Sequence, residues 1–381
     1  MTTIDLSLIS STLNNPVTAL TIPFIHYHYL IKSQNGIITT LPFIIFNIMT
    51  PLMFRSDSAN LMNSAAGFFY LAITLRFIDI AQLPQQITQK LTLTDYMEYL
   101  LAFELNPKYQ PLVSQKVEPD QQKNMKVCAR VAKTVQYEDL TANYFQSLFF
   151  KTVFKLAIYE SMVCYLLYYR RNWIPKPFEL FYDFWSLLDC YIYGVSFSIG
   201  LDIAIVIFSH SNSLIFKVPY VPVMNHPYLS TSVRQFWGER WNLIIQTSLR
   251  RAVFNPVIKM FGYDSNLSTR TFPAWLLILA SFSTFVFSAI MHEWFVFILC
   301  DLPTTGEQLV FFTLHGIICI LEVVGRKAVQ KTIGVDIASI IPTWLQIIYA
   351  TSIVVFTSPW FLNPLVRENV LLKIDYFYDK V

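Results

Sequence analysis

Apolar residues in this chain come in long unbroken runs, not in the alternation of a half-buried strand or the stripe of a surface helix. A helix that crosses a bilayer needs roughly 20 mostly apolar residues. Such runs occupy Ile38–Phe54, Leu61–Ile80, Phe145–Tyr168, Leu180–Phe208, Phe272–Cys300, Gln308–Val324 and Ile340–Leu362, with weaker ones at Val17–Ile31 and Trp241–Met260. The pattern predicts an all-α polytopic membrane protein with about seven to nine transmembrane helices. Leu180–Phe208 and Phe272–Cys300 exceed a perpendicular crossing and so are expected to tilt or bend.

Two polar stretches interrupt the runs. Ala81–Asn143 mixes charges such as Lys108, Lys126 and Arg130 with Glu104, Glu118 and Asp120, and adds Tyr96, Met97, Tyr99, Leu100 and Phe103. It is expected to be a structured cytosolic insert with amphipathic helices. The second, Ser209–Arg240, connects a long span to a tryptophan-rich block. The expected organisation is therefore N-terminal transmembrane helices over 1–80, an extramembrane insert over 81–143 and a transmembrane core over 144–381. Counting spans puts both polar stretches on one face and Arg170, Arg171 and Lys176 on the other, so the positive-inside rule does not fix orientation.

Composition agrees with the pattern. Only 14% of the residues are charged, against about 25% in soluble domains, and the mean hydropathy is +0.44. A net charge of +3 implies no nucleic-acid partner. Cys128, Cys164, Cys190, Cys300 and Cys319 form no close pair, so they read as packing thiols, with no disulfide framework and no metal site. No cationic flank precedes the first apolar residues, so that stretch is expected to remain as a membrane segment.

The chemistry concentrates in two places. His292 lies within the apolar run Phe272–Cys300, and an ionisable side chain at membrane depth is costly enough that it usually marks a function. Upstream, Ser230–Asn242 packs polar groups between aromatics: Phe236-Trp237-Gly238-Glu239-Arg240-Trp241-Asn242. Ser232 with Gln235 matches a capping box, which predicts a helix starting there and running toward Met260. On such a helix Glu239, Asn242 and Gln246 share one face, and Phe236 and Arg240 another. Physics alone allows an interfacial anchor, with tryptophans at headgroup level and arginines on phosphates.

The detail of the block points further. Pro227-Tyr228-Leu229-Ser230-Thr231-Ser232, the Phe236–Asn242 run, Leu249-Arg250-Arg251, Asn255-Pro256-Val257 and Phe287-Ser288-Ala289-Ile290-Met291-His292-Glu293 together resemble the wax-synthase domain of the membrane-bound O-acyltransferase superfamily. The resemblance covers about Tyr220–Glu293. It implies helices enclosing a buried tunnel, acyl-CoA as co-substrate with no further cofactor, and a hydrophobic alcohol as acceptor: a fatty alcohol, a sterol, or a terpenoid or polyketide hydroxyl. It also implies His292 and Asn242 as the catalytic pair, and residence in the endoplasmic reticulum.

An imidazole, with a usual pKa of about 6.5, is a usable base near neutral pH. His292 is thus the expected general base toward the alcohol. Asn242 would donate its amide to the thioester carbonyl, or hold the alcohol or the imidazole, and both roles stay open. Arg234, Gln235, Trp237, Glu239, Arg240, Trp241, Gln246 and Arg250 are the expected acyl-CoA-binding or tunnel-lining residues, the arginines suited to phosphates. Two other functions fit a polytopic chain with buried His and Asp, a secondary transporter and a non-catalytic lipid-binding relative; no internal repeat supports the first.

Other polar residues read as structural. His315 would line a cavity or bond a neighbouring helix, and His226 belongs to a loop. His26 and His28 do not share a helix face, so joint metal ligation is not expected. Glu293 points off the face of His292 and is expected to meet a base such as Arg234 or Arg240. Lys155, Glu160, Asp189 and Asp202 are expected to pair inside the bundle or to lie near helix ends. Asn266-Leu267-Ser268 fits a glycosylation acceptor.

Overall fold

The computed structural model describes residues 16–33, 35–53, 60–83, 85–101, 140–166, 184–217, 222–263, 272–299 and 306–367. Most of the insert, the Asn266 acceptor, Cys128 and Cys300 lie outside these residues. Among the described residues the chain is helical, without a strand: α1 Pro16–Leu30, α2 Gly36–Met53, α3 Asn60–Ile80, α4 Gln85–Thr88, α5 Leu93–Leu101, α6 Ala142–Cys164, α7 Phe184–Phe216, α8 Val233–Gln235, α9 Leu243–Leu249, α10 Asn255–Met260, α11 Ala274–Leu299, α12 Glu307–Ile333, α13 Ile337–Ile340 and α14 Thr343–Arg367. Of these, α7, α11, α12 and α14 are long and apolar enough to cross a membrane.

The chain forms two compact units, one of residues 1–102 with 294–303, the other of 103–293 with 304–381. In the first, His26 of α1 is fully buried, its ring held between the hydroxyls of Tyr96 (2.6 Å) and Thr40 (2.9 Å). Tyr99 donates to Asp79 at 3.0 Å. Both tyrosines belong to α5, so this short helix from the start of the polar insert docks through its hydroxyls onto buried groups of α1 and α3. The indole of Trp294 donates to the carbonyl of Ile48 within the same unit.

In the second unit α6 lies along α7, where Lys155 and Asp202 form an ion pair. Asp189 accepts from the Tyr165 hydroxyl at 3.2 Å. Both aspartates thus find partners inside the bundle, as the sequence leads one to expect. Helix α7 continues to Phe216, with Ser209, His210, Asn212 and Ser213 buried. The second polar stretch therefore begins inside a helix, not at its end. His210 is satisfied by the Val206 carbonyl (2.7 Å) and the Tyr144 hydroxyl (2.8 Å). Helices α7 and α14 meet through Leu166, Cys190, Tyr193, Leu362 and Val366.

Helix α12 is the spine of this unit. At its start Glu307 accepts two hydrogen bonds from the guanidinium of Arg367 at the end of α14, at 2.5 and 2.7 Å. Leu309 N, one of the free amides of its first turn, is capped by Glu293 at 3.0 Å. In mid-helix Gly316 lets α11 approach, since a Cβ there would lie 2.9 Å from Cβ of Phe285. Further along, the carboxylate of Glu322 accepts the backbone N–H groups of Val233 and Arg234, both at 2.9 Å. A negative charge on the orphan amides of a helix start is favourable by both hydrogen bonding and dipole. Glu322 thereby fixes the tryptophan-rich block to α12.

Glu322→Ala strands the amides of Val233 and Arg234, at a cost of about 1–3 kcal/mol. The thermal unfolding midpoint of the detergent-purified protein should fall by several degrees. Glu322→Gln, which retains one acceptor oxygen, should recover part of that loss; equal midpoints for all three proteins would show that this cap contributes nothing.

Candidate active site

The tryptophan-rich block is not one helix. Ser232 caps α8 as the capping-box pattern predicts, its hydroxyl accepting from Gln235 N at 3.0 Å. The glutamine reaches back to Thr231, accepting from its backbone N at 2.8 Å. The helix then widens into a π-turn over Phe236–Arg240 and stops: Trp241 is extended and Asn242 is left-handed, with φ 39° and ψ 64°. Few residues besides glycine accept positive φ, and asparagine is one of them. A segment from the preceding loop fills the break, Leu243 N donating to Val223 O (2.9 Å) and Asn225 N to Arg240 O (2.8 Å). A second π-turn, Arg250–Phe254, separates α9 from α10. The expected continuous helix to Met260 is thus corrected, and so is the shared face of Glu239 with Asn242. Gln246 does follow Asn242 on the next turn, its N–H bonded to the Asn242 carbonyl at 3.0 Å.

The left-handed turn makes Asn242 the cap of α9. Its side-chain oxygen accepts from Ile245 N at 3.3 Å, and its own N–H meets the sulfur of Met224 at 3.4 Å. The oxygen is committed, while the amide NH₂ has no hydrogen-bond partner among the described residues. That leaves a donor on a side chain whose direction is fixed by the cap.

His292 sits on α11. Its Nδ1 lies 2.7 Å from the carbonyl oxygen of Ser288, one turn earlier. A carbonyl can only accept, so Nδ1 carries the proton and Nε2 is left with its lone pair. No group among the described residues bonds Nε2. The ring rests on Phe312 with centroids 4.1 Å apart and stands 6.0 Å from Phe361. The adjacent Glu293 is occupied at Leu309, so the expected pairing with Arg234 or Arg240 gives way to a helix cap. Geometry explains this: the residue after His292 points to the start of α12, where amides need an acceptor.

Trp237 connects the block to His292. Its ring lies 5.4 Å from Phe312, 6.0 Å from Phe311, 6.2 Å from Phe285 and 5.5 Å from His315. Phe312 therefore touches both Trp237 and His292, in a cluster closed by Ala289, Phe311, Trp360 and Phe361. His315, fully buried, repeats the arrangement of His292, its Nδ1 donating to the Phe311 carbonyl at 2.9 Å, with Thr357 Oγ1 3.3 Å from Nε2.

The remaining expected site residues serve the block itself. Trp241 stacks on Phe236 at 5.2 Å, and Gln235 reaches Glu239 at 3.4 Å. Arg240 donates to the carbonyls of Asn225 and His226, both at 3.2 Å. The side chains of Arg234 and Arg250 are exposed, the latter over the Phe254 ring at 5.7 Å. His226 is exposed in its loop, bonded to the Tyr228 hydroxyl at 2.8 Å.

Sequence reasoning missed Glu322 and Gln308. Glu322 interrupts an apolar run, and the cost of a charge at membrane depth was signal enough to single it out. Gln308 is 1% exposed and donates through Nε2 to the carbonyls of Trp360 and Phe361, at 3.3 and 2.9 Å. A glutamine at a helix start looks like a solvent contact, so nothing in its neighbours marked it.

The Membrane bound O-acyl transferase family matches residues 220–314. Among similar proteins are Probable long-chain-alcohol O-fatty-acyltransferase 3 of Arabidopsis thaliana, 35% identical over 40% of this chain and 42% of its own length, and Acyl-CoA–sterol O-acyltransferase 1 of the same organism, 30% identical over 48% of this chain and 49% of its own. The Long-chain-alcohol O-fatty-acyltransferase of Simmondsia chinensis is 29% identical over 52% of this chain and 54% of its own length. The chain thus spans about half the length of the curated relatives it matches. Residues 220–314, which carry Trp237, Asn242 and His292, are thus similar to the membrane bound O-acyl transferase family.

Proposed function

We propose that this protein is a membrane-embedded O-acyltransferase that moves an acyl group from acyl-CoA to the hydroxyl of a hydrophobic alcohol. The observation that carries the reading is the tautomer of His292: a half-buried imidazole whose Nδ1–H is spent on a backbone carbonyl keeps Nε2 unshared among the described residues, beside the rings of Phe312 and Phe361. In the reaction the alcohol oxygen attacks the thioester carbonyl carbon while its proton passes to His292 Nε2. The new C–O bond forms, the C–S bond breaks, and the imidazolium returns the proton to the leaving thiolate. No separate cofactor is needed, because the thioester supplies the activated acyl group.

The free amide of Asn242 either donates to the thioester carbonyl or holds the alcohol or the imidazole. Coenzyme A carries several phosphates and cannot enter hydrocarbon, so its head must remain outside. Arg234 and Arg250, both exposed, are suited to attract it, and Arg240, Gln235, Glu239, Trp241 and Gln246 shape the passage. The alcohol arrives laterally from the bilayer. Relatives named for long-chain alcohols and for a sterol support an acceptor of that kind. On this reading residues 81–143 form a cytosolic insert, 144–381 the catalytic core, and the protein resides in the endoplasmic reticulum.

His292→Ala should lower turnover by about 10²–10⁴-fold, the range for a lost general base, with acyl-CoA binding nearly unchanged. Ester formation by membranes at matched protein level, followed by mass spectrometry across a panel of alcohols, is the measurement; wild-type turnover in this variant would remove His292 from the mechanism.

Asn242→Gly separates the amide from the backbone, since glycine tolerates the positive φ and costs a cap only a few tenths of a kcal/mol. We expect activity to fall about 10²-fold, in the range for a lost transition-state donor, with an unfolding midpoint close to wild type. Undiminished activity would show that the amide takes no part.

A further inference from the structure

Trp237 holds a hydrogen-bond donor that meets no acceptor among the described residues. Its indole Nε1 is shut off from solvent and has no partner among the described residues. Buried indoles ordinarily find an acceptor, and leaving a buried N–H unpaired is destabilising. The ring is wedged among Phe285, Phe311, Phe312 and His315. The histidine offers no relief, because its Nδ1 is spent on the Phe311 carbonyl and its Nε2 lies beside the Thr357 hydroxyl. Phe312, the ring against which Trp237 packs, is also the ring beneath His292.

A rigid, desolvated donor packed on the same phenylalanine as an unshared imidazole suits a reaction in which negative charge grows on a carbonyl oxygen. We infer that Trp237 Nε1–H donates to the carbonyl oxygen of the acyl thioester while His292 receives the alcohol proton. The assignment rests on the acyltransferase reading above. As the alcohol oxygen bonds to the carbonyl carbon, electrons move onto the carbonyl oxygen. The indole hydrogen bond strengthens at that moment without transferring its proton. Collapse of the adduct expels the thiolate, and the hydrogen bond relaxes onto the ester. Trp237 then makes the thioester contact and Asn242 is left to hold the alcohol or the imidazole.

The test compares two unreactive probes on purified protein: an S-(2-oxoalkyl)-CoA, which keeps a carbonyl near sulfur, and an S-alkyl-CoA of equal length, which lacks it. Wild-type protein should bind the carbonyl probe about tenfold more tightly. Trp237→Phe should bind both alike, hold the S-alkyl probe as wild type does, and lose about 10²-fold in kcat with little change in KM for acyl-CoA. If Phe leaves too large a gap for folding, 3-benzothienylalanine at position 237 keeps the ring shape without the N–H, and the same loss of preference is expected. A variant that still prefers the carbonyl probe would overturn the role of Trp237 alone. Wild-type protein that binds neither probe would instead overturn the acyltransferase reading.

Discussion

Inside a bilayer there is no water to satisfy a polar group, so every donor and acceptor must find a partner within the protein or remain exposed as an energetic cost. This constraint organises the whole chain. The buried imidazole of His26 is closed at both nitrogens by hydroxyls, Lys155 meets Asp202, and the carboxylates of Glu293 and Glu322 are turned onto helix starts. Against that background the few open valences stand out. Among the described residues they include the indole of Trp237, Nε of Arg240 and Oε1 of Gln308, besides the lone pair of His292 and the amide of Asn242, and all five belong to the segment similar to acyltransferases.

The two glutamates show how one chemical need serves two ends. A helix beginning at depth must have its first amides capped, and a carboxylate from a neighbouring helix does so with favourable charge. In doing so Glu293 ties the residue after His292 to the start of α12, while Glu322 ties the tryptophan block to the same helix some way along. The imidazole and the indole are therefore registered against one rod, α12, which also supplies the phenylalanine lying between them. The placing of these two rings derives from backbone capping.

Much of this was legible in the sequence, for identifiable reasons. Run length located the long helices, since hydrophobic spans depend on bilayer thickness, but α7 and α12 continue eight and nine residues past the ends of their apolar runs at Phe208 and Val324. His292 announced itself because an ionisable group in an apolar run is expensive. The capping box at Ser232 gave the start of α8. What failed was continuity: periodicity treats Ser232–Met260 as one helix, yet tertiary bonds from Val223 and Asn225 break it at Trp241 and Asn242. The extension of α7 through Ser209–Phe216 was hidden for the opposite reason, its polar residues being buried where composition suggests solvent. Gln308 was missed because its partners are carbonyls fifty residues away.

Gly316 bears on the chamber in a way that its lack of a side chain conceals. Because the wall of α12 has no Cβ opposite Phe285, the two helices close on each other there, and the aromatic rings of both are pressed around Trp237. The spacing of the two helices at this point is accordingly governed at a single position. Any larger residue would act as a spacer between the rod bearing His292 and the rod bearing Phe312, loosening the packing of the rings around Trp237.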